Sequence, residues 1–172
     1  MADAIDLFTA HWRRERPEVD TSPMAVIGRV QRLNRLFEQG LKQFFAEYEM
    51  EFWEFDVLAT LRRSGGADGL TAGALIKVAM VTSGAITNRI DRLVARGWVE
   101  RAQCPEDRRA IRVRLTPAGR ALVDELLPIH LENEQRMLAA LDTESRAQLA
   151  GLLRALTESL GDAVPDDVER AV

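Results

Sequence analysis

Several features are scarce in this chain of 172 residues, and each scarcity excludes a class of protein. The single cysteine, Cys104, cannot form an intrachain disulfide or a paired-cysteine metal site. No apolar run approaches the roughly 18 residues that a membrane-spanning helix requires. The first residues also lack the long apolar centre of a secretory signal. Together these absences predict a cytoplasmic protein.

Patterns that would indicate catalysis or metal binding are missing as well. The sequence has no nucleophile paired with a base, no glycine-rich phosphate loop and no pair of catalytic carboxylates. His11 with Glu15, and His130 with Glu134, are pairs one helical turn apart, but two ligands on separate helices fall short of a four-ligand site. We expect these to be surface pairs. The chain is predicted not to be an enzyme and to hold no metal or other cofactor.

Charge is distributed unevenly along the chain. The net charge is -4, yet the stretch 70–116 holds nine Lys and Arg against four Asp and Glu, a local charge of +5 that leaves -9 for the rest. A cationic patch on an acidic body attracts a phosphate backbone. The distribution therefore favours nucleic acid as a partner.

The basic stretch has the order helix, turn, helix and hairpin. In the second helix, apolar residues at Ile86, Ile90, Leu93 and Val94 mark one buried face, and Gly97 lies where the helix ends. Two strands then follow, Val99 to Ala102 and Ile111 to Leu115. This order predicts a winged helix-turn-helix with a two-stranded β wing. The residues at the start and on the outward face of the second helix are the predicted base contacts: Thr82, Ser83, Asn88 and Arg92. At roughly 100° per residue, Arg89 falls at the border of the buried face.

The remainder of the chain is predicted to be helical, which makes the fold mainly α. Ser22-Pro23 starts a helix of about seven turns, Ser22 serving as its cap, and Thr116-Pro117 starts another that reaches to about residue 140. A shorter helix covers Ala2 to Arg16, and Asp142 or Thr143 caps the last one. Another helix runs from Trp53 to Arg63, with Phe55, Leu58 and Leu61 predicted to face inward. These helices carry more apolar surface than one small lobe can cover, which favours a homodimer; a monomeric helical bundle is the alternative.

Four segments follow from this pattern. Residues 1–49 would form an N-terminal helix and a long dimerisation helix, and residues 50–115 the winged DNA-binding lobe. Residues 116–162 would form the C-terminal dimerisation helices, and residues 163–172 a frayed acidic tail.

Three segments carry a resemblance to a known family: LTAGALIKVAM, TSGAITNRIDRLVARGWVER and PEDRRAIRVRLTPAGRAL. Over Ser22 to Leu160 the chain resembles the MarR family of transcription regulators. The resemblance implies a dimeric DNA-binding protein whose wing carries an Asp-x-Arg pattern, matched by Asp107 and Arg109 with Arg108 between them. In that family the carboxylate orients an arginine that enters the minor groove, where negative potential is concentrated.

A narrower resemblance concerns the urate-responsive, PecS-like branch of that family. The branch carries a tryptophan on an extra N-terminal helix, an Asp and an Arg on the helix before the helix-turn-helix, and an Arg on the recognition helix. The matching residues are Trp12, Asp56, Arg63 and Arg89, which the resemblance implies as ligand-binding residues. In the alternative reading, Asp56 and Arg63 form an ordinary ion pair, Trp12 is a core residue and Arg89 grips DNA.

These patterns together predict a ligand-responsive repressor. It would leave a pseudo-palindromic operator in double-stranded DNA when a purine-type anion such as urate or xanthine binds. Two alternatives stay open: a regulator that answers a phenolic or other aromatic acid, and a dimeric protein-interaction module without DNA binding.

Overall fold

The computed structural model of the chain describes residues 2–78, 86–103 and 111–162. The chain forms two compact units, Met1–Phe44 and Phe45–Val172. Within the described ranges, the helices are all too short or too polar to cross a membrane. The predicted division into four segments stays a prediction.

The first unit contains helix α1 (Ala4–Glu15) and most of helix α2 (Ser22–Ala46). Asp3 caps α1, because its carboxylate accepts hydrogen bonds from the backbone N–H groups of Ile5 and Asp6. Arg29 of α2 forms ion pairs with Asp3 at 2.8 Å and with Asp6 at 2.6 Å. These ion pairs hold the two helices together. Gly28 lets them approach closely, because a β-carbon at this position would lie 2.8 Å from the Ile5 side chain.

The start of α2 differs from the prediction in one respect. Ser22 was expected to cap the helix, but it is the first helical residue. The carboxylate of Asp20 accepts hydrogen bonds from the Ser22 backbone N–H at 2.9 Å and from its hydroxyl at 2.8 Å. A carboxylate beside the positive end of a helix is stabilised there, so the acid takes the place that the hydroxyl was expected to fill.

Five more helices lie among the described residues of the second unit, and most begin and end close to where the sequence indicated. Thr116 and Asp142 cap the last two, each accepting a backbone N–H with its side-chain oxygen. Gly97 follows the recognition helix with φ at 72°, the left-handed conformation expected of it. The helices are α3 (Phe52–Ser64), α4 (Ala72–Val78), α5 (Ile86–Ala95), α6 (Pro117–Met137) and α7 (Thr143–Ser159).

In the ranges that the structure describes, three strands form one antiparallel sheet in the order β1-β3-β2: β1 (Leu70–Thr71), β2 (Val99–Gln103) and β3 (Ile111–Leu115). Val99 pairs with Leu115 across the wing, and Leu70 pairs with Val113 on the other side. The prediction of a two-stranded wing missed β1, because two residues are too few to show a period. The extra strand ties the wing to the segment that opens the helix-turn-helix.

The core of the second unit lies where these elements meet. The three inward residues predicted for α3 are buried, as are three of the four predicted for α5. The fourth, Val94, is only half-buried, because it lies at the edge of the buried face. Val99 and Val113 from the sheet, together with Val123 and Leu126 from α6, complete this core. Burial of one face of α5 fixes the direction of its opposite face, which is the condition for a DNA-reading helix. The buried residues of the two helices are Phe55, Leu58, Leu61, Ile86, Ile90 and Leu93.

His130 of α6 is a buried residue, so its prediction as half of a surface pair was wrong. Its ring lies 5.2 Å from the ring of Phe45 and 4.9 Å from that of Phe55, and only 6% of the residue is exposed. Glu134 does lie one turn away, at 3.3 Å. Burial disfavours the charged imidazole and lowers its pKa below the ordinary 6.5, while the Glu134 carboxylate partly opposes that change.

Helix α7 stands apart from the core, since it has no buried residue. Its leucines form an exposed apolar face made of Leu149, Leu152, Leu153, Leu156 and Leu160. In the first unit, α2 also exposes a row of apolar side chains: Met24, Val26, Ile27, Val30, Leu33 and Leu36. Each face is larger than the scattered apolar residues that monomers ordinarily leave in water.

Candidate DNA-binding interface and effector site

Helix α5 presents two of the predicted base contacts to solvent. Asn88 is exposed, and the Arg92 side chain is 54% exposed. The other predicted DNA contacts, Thr82, Ser83, Asp107, Arg108 and Arg109, lie outside the described residues, as does Cys104. The structure therefore positions the body of the recognition helix, and the roles of the other five residues stay predictions.

Arg92 is held by two residues from the start of α3, and we call Glu51, Trp53 and Arg92 the outer cluster. The Arg92 guanidinium donates to one oxygen of Glu51 at 2.8 Å, and the Trp53 indole N–H donates to the other oxygen at 2.8 Å. The guanidinium also lies over the Trp53 ring, 4.9 Å from its centroid. Each residue of the outer cluster thus contacts the other two. The hydrogen bond from Arg92, and then that from Trp53, lower the pKa of Glu51 below its ordinary value.

A second cluster of the same three residue types lies one turn further along, and we call Glu54, Arg96 and Trp98 the inner cluster. Arg96 approaches Glu54 to 3.2 Å and donates to the backbone carbonyl of Glu49 at 2.8 Å. Its guanidinium lies 3.9 Å from the centroid of the Trp98 ring. The Glu54 side chain is only 1% exposed and also accepts the backbone N–H of Glu51. The inner cluster joins the start of α3 to the end of α5.

Two arginines of the sheet are also paired with acids. Arg101 forms an ion pair with Asp91 at 2.5 Å, and Arg114 forms one with Glu100 at 2.7 Å. The acids of the two clusters, Glu51 and Glu54, lie outside the stretch whose charge was counted as +5. The cationic field of the lobe is therefore weaker than that count implies, because carboxylates neutralise several arginines locally.

The predicted effector residues lie in different surroundings. Asp56, in the middle of α3, is 6% exposed, whereas Arg63, two turns later, is exposed. Arg89 is half-buried on α5, and its guanidinium lies 5.1 Å from the Trp53 ring centroid. Its Nη1 atom is buried, and no group in the described part of the chain accepts a hydrogen bond from it. Arg89 is thus a border residue of α5, as its helical position indicated.

Trp12 belongs to the first unit, where it lies on α1. Its ring packs edge-on against that of Phe8, with a centroid distance of 6.4 Å, and the residue remains exposed. The interpretation of Trp12 as a core residue is therefore wrong for the first unit taken by itself. Its role toward a ligand stays a prediction.

Trp53 and Glu51 are the functional candidates that the sequence analysis missed. Trp53 was read only as the start of a helix, although the tryptophan lies between two acids, Glu51 and Glu54. This arrangement is the signal that could have drawn attention to Trp53, since an indole between carboxylates is a suitable partner for arginine. What the sequence could not show is which arginines of α5 it meets.

Comparison with known proteins agrees with this architecture. The model of the MarR family matches residues 48–110. The chain is 37% identical to the HTH-type transcriptional regulator PecS of Dickeya dadantii over 142 residues, which are 83% of this chain and 86% of PecS. It is 34% identical over 93 residues to the multiple antibiotic resistance protein MarR of Escherichia coli, covering 54% of this chain and 62% of MarR.

Solved structures give the same result. BpsR of Bordetella bronchiseptica, studied for regulation of its DNA binding by 6-hydroxynicotinic acid, is 27% identical with a TM-score of 0.70, covering 80% of this chain and 94% of BpsR. A mutant MarR from E. coli complexed with operator DNA is 27% identical with a TM-score of 0.68, covering 84% of this chain and 96% of MarR. The chain therefore belongs to the MarR family of winged helix-turn-helix transcription regulators, which bind DNA and are not enzymes.

Proposed function

We propose that the protein is a dimeric, cytoplasmic repressor that binds a pseudo-palindromic operator and leaves it when an oxopurine anion, urate or xanthine, binds. The observation that carries the DNA-binding part is the position of α5. One face of this helix is buried in the core, so that Asn88 and Arg92 are presented together on the opposite face. A helix held in this way can enter the major groove, where side chains read base edges.

The proposed DNA contacts combine this helix with the wing. Asn88 and Arg92, with Thr82 and Ser83 at the helix start, would contact base edges. Asp107, Arg108 and Arg109 would approach the minor groove, the carboxylate orienting the arginine. The E. coli MarR that is similar to this chain was solved with operator DNA, which supports the same mode of binding.

The dimer rests on two uncovered apolar faces. Helix α7 buries none of its residues, and α2 exposes a row of apolar side chains along several turns. Covering such faces with a second copy removes apolar area from water and brings two recognition helices into one assembly. We expect the two helices to enter successive major grooves about one helical turn, roughly 10 bp, apart.

The effector part of the proposal rests on Arg89. Its buried Nη1 meets no acceptor among the described groups, and a buried donor left in that state is costly. An anionic oxygen of an oxopurine would accept this hydrogen bond. Arg63 would supply a second cation, Asp56 the repulsion that couples binding to movement, and Trp12 a stacking face. Similarity to PecS over most of both chains supports this branch of the family.

A second candidate ligand is an aromatic acid. BpsR, whose DNA binding is regulated by 6-hydroxynicotinic acid, shares its fold with 80% of this chain. A planar ring with a carboxylate would satisfy Arg89 as well as an oxopurine anion does. The two ligand classes differ in where they place further acceptors, so a direct comparison separates them.

The experiment has two stages. DNA that the protein prefers is first selected from random duplexes, and footprinting then shows whether two half-sites about one turn apart are protected. Urate, xanthine, 6-hydroxynicotinic acid and a phenolic acid are next titrated against the protein–DNA complex. Release by urate or xanthine at the lowest concentration supports the proposal, and a stronger response to either aromatic acid supports the second candidate. Binding to one half-site by a monomer would contradict the dimer.

Variants test the residues. Arg63→Ala should bind the effector poorly, and Arg89→Ala should bind DNA but respond less to the effector. Trp12→Ala tests the stacking role. Arg120→Ala, which removes an exposed arginine from α6, is the matched control. Equal responses of all four variants and the parent protein would place the effector site elsewhere.

A further inference from the structure

We propose that Glu51 and Trp53 are positioning residues that turn Arg92 from a general phosphate contact into a reader of base edges, and that they thereby set the ratio of specific to non-specific DNA binding. The inference rests on the proposed function, since it requires α5 to enter the major groove. It concerns residues that precede the helix-turn-helix and that no sequence pattern assigned to DNA.

The geometry of the outer cluster restricts Arg92 from two directions. The Glu51 carboxylate accepts a hydrogen bond from Nη2, while the indole of Trp53 supports the flat face of the guanidinium. Trp53 in turn fixes Glu51 through its own N–H. A long arginine side chain ordinarily loses much rotamer freedom when it docks, and part of that loss has already occurred here. The guanidinium is therefore pre-ordered at the protein surface.

Pre-ordering leaves most of the donors of Arg92 available. A guanidinium carries five N–H donors in a planar fork. In the described part of the chain, the hydrogen bond of Arg92 is the single one from Nη2 to Glu51, and the nearest other carboxylate oxygen in an ion pair with it, from Glu54, lies 3.7 Å from the same nitrogen. The other N–H groups can donate in pairs to adjacent acceptors such as O6 and N7 of guanine, while Glu51 keeps its own bond. Guanine is the base that this arrangement fits.

A phosphate contact differs from a base contact, because Glu51 competes with the phosphate for the Arg92 guanidinium. The carboxylate and the Arg92 side chain are both more than half exposed, 57% and 54%, so they face the same solvent that a DNA backbone would occupy. A phosphate that approaches Arg92 meets an arginine that is already neutralised and a carboxylate that repels it. Glu51 thus weakens binding to DNA of any sequence and leaves base reading intact.

The test compares two duplexes of equal length: one that the parent protein selects from random sequences, and a scrambled version of the same composition. Glu51→Gln keeps the size of the side chain and removes its charge. We expect it to bind the scrambled duplex about twofold to fivefold more tightly, the scale of an exposed ion pair. Binding to the selected duplex should change less, so the specificity ratio falls. The salt dependence on the scrambled duplex should steepen by about one unit, because Arg92 then neutralises one more phosphate.

The matched control is Asp124→Asn. Asp124 of α6 is an exposed carboxylate that pairs with Arg62 of α3 at 2.7 Å, so this variant makes the same change of net charge away from α5. It should leave the specificity ratio within about twofold of the parent value. If Glu51→Gln and Asp124→Asn behave alike, the effect is one of net charge and the inference is wrong.

Trp53 is tested by a pair of variants. Trp53→Phe keeps a ring under the guanidinium but removes the N–H that holds Glu51, whereas Trp53→Ala removes both. We expect the ratio to fall in the order parent, Trp53→Phe, Trp53→Ala. Thermal unfolding of each variant identifies one that fails to fold. In that case Glu51→Gln, whose side chain is exposed, decides the matter alone.

A double substitution separates the inference from the proposed function. In an Arg92→Ala background, Glu51→Gln should change binding no more than Asp124→Asn does, since the arginine that it restrains is gone. A full effect of Glu51→Gln in that background would overturn the role of Arg92. If the parent protein binds the selected and scrambled duplexes equally, the proposed function fails. If the parent protein prefers the selected duplex and Glu51→Gln shows the same preference, only the inference fails.

Discussion

The inner and outer clusters contain the same three residue types but differ in burial. In the inner cluster, the Glu54 side chain is 1% exposed and that of Arg96 is 32% exposed, whereas in the outer cluster both charged side chains are more than half exposed. A charge pair away from water is costly to break, because the remaining charge is left buried. An exposed pair contributes little to stability and exchanges partners easily. The comparison teaches that the same three residue types can anchor the end of α5 where they are buried and leave an arginine exposed to solvent where they are not.

The largest expected effect tests the anchoring side of this comparison. Glu54→Ala should lower the free energy of unfolding by about 4 kcal/mol, because it leaves Arg96 without its carboxylate and empties a buried position. Glu51→Gln in the outer cluster should cost less than about 1 kcal/mol. Urea unfolding of the two variants and the parent protein measures the difference. Similar losses for both would contradict the distinction between the clusters.

A second prediction concerns the support beneath the inner cluster. Gly119 of α6 lies against the backbone carbonyl of Trp98, and a β-carbon at this position would collide with it. Gly119→Ala should therefore cost about 3 kcal/mol of unfolding free energy. Gly151→Ala in α7, where a β-carbon meets no atom within 4 Å, is the control and should be neutral or slightly stabilising. A tolerated Gly119→Ala, with an unchanged denaturation midpoint, would mean that α6 shifts freely against the strand.

The third prediction compares alanine variants of the two cluster arginines, Arg96 and Arg92. Arg96→Ala should lower the unfolding free energy by about 2 kcal/mol, because buried Glu54 then keeps only the longer ion pair with Arg92, at 3.7 Å. Arg92→Ala should leave stability within about 1 kcal/mol of the parent but weaken binding to the selected duplex by about tenfold or more. Denaturation and a gel-shift titration of both variants make the comparison. Loss of DNA binding by Arg96→Ala without loss of stability would show that the inner cluster also reads DNA.

The smallest expected effect concerns His130, because burial of its ring disfavours the charged form. Because the pKa of His130 is lowered by burial, the unfolded state binds more protons between that pKa and the ordinary 6.5. Stability should therefore be complete above about pH 6.5 and decrease as the pH falls through the lowered pKa. Unfolding free energies measured at steps from about pH 8 to pH 5 follow this change. His130→Phe should lose this part of the pH dependence, and an unaltered slope in that variant would assign it to other groups.

Much of the fold was predictable because local signals are strong here. Caps such as Thr116 and Asp142, the left-handed Gly97 and the apolar spacing of α3 and α5 lie within a turn of the structure that they specify. The predictions that failed depend on distant partners. Strand β1 exists because β3 pairs with it, and His130 is buried because the rings of Phe45 and Phe55 surround it.

The candidate site divides in the same way. Helical spacing was enough to place Asn88 and Arg92 on the outward face of α5 and Arg89 at its border, since 3.6 residues per turn fix those directions. The charge count overstated the cationic field, because a sum over one stretch cannot include acids from another helix. Glu51 pairs with Arg92 and Glu54 with Arg96, across 41 and 42 positions of the chain.

The amino-acid sequence by itself determined the helices, the wing and the family, because periodicity, capping and turn chemistry act between neighbours along the chain. Among the described residues, only the tertiary structure decided how exposed the arginines at positions 89, 92 and 96 are and which groups they contact. Packing brings the start of α3 against α5, and that contact places Trp53 beside both Arg89 and Arg92. The strength of an ion pair depends on the distance between the charges and on their exposure to solvent. Both are set by tertiary packing and cannot be read from the order of residues.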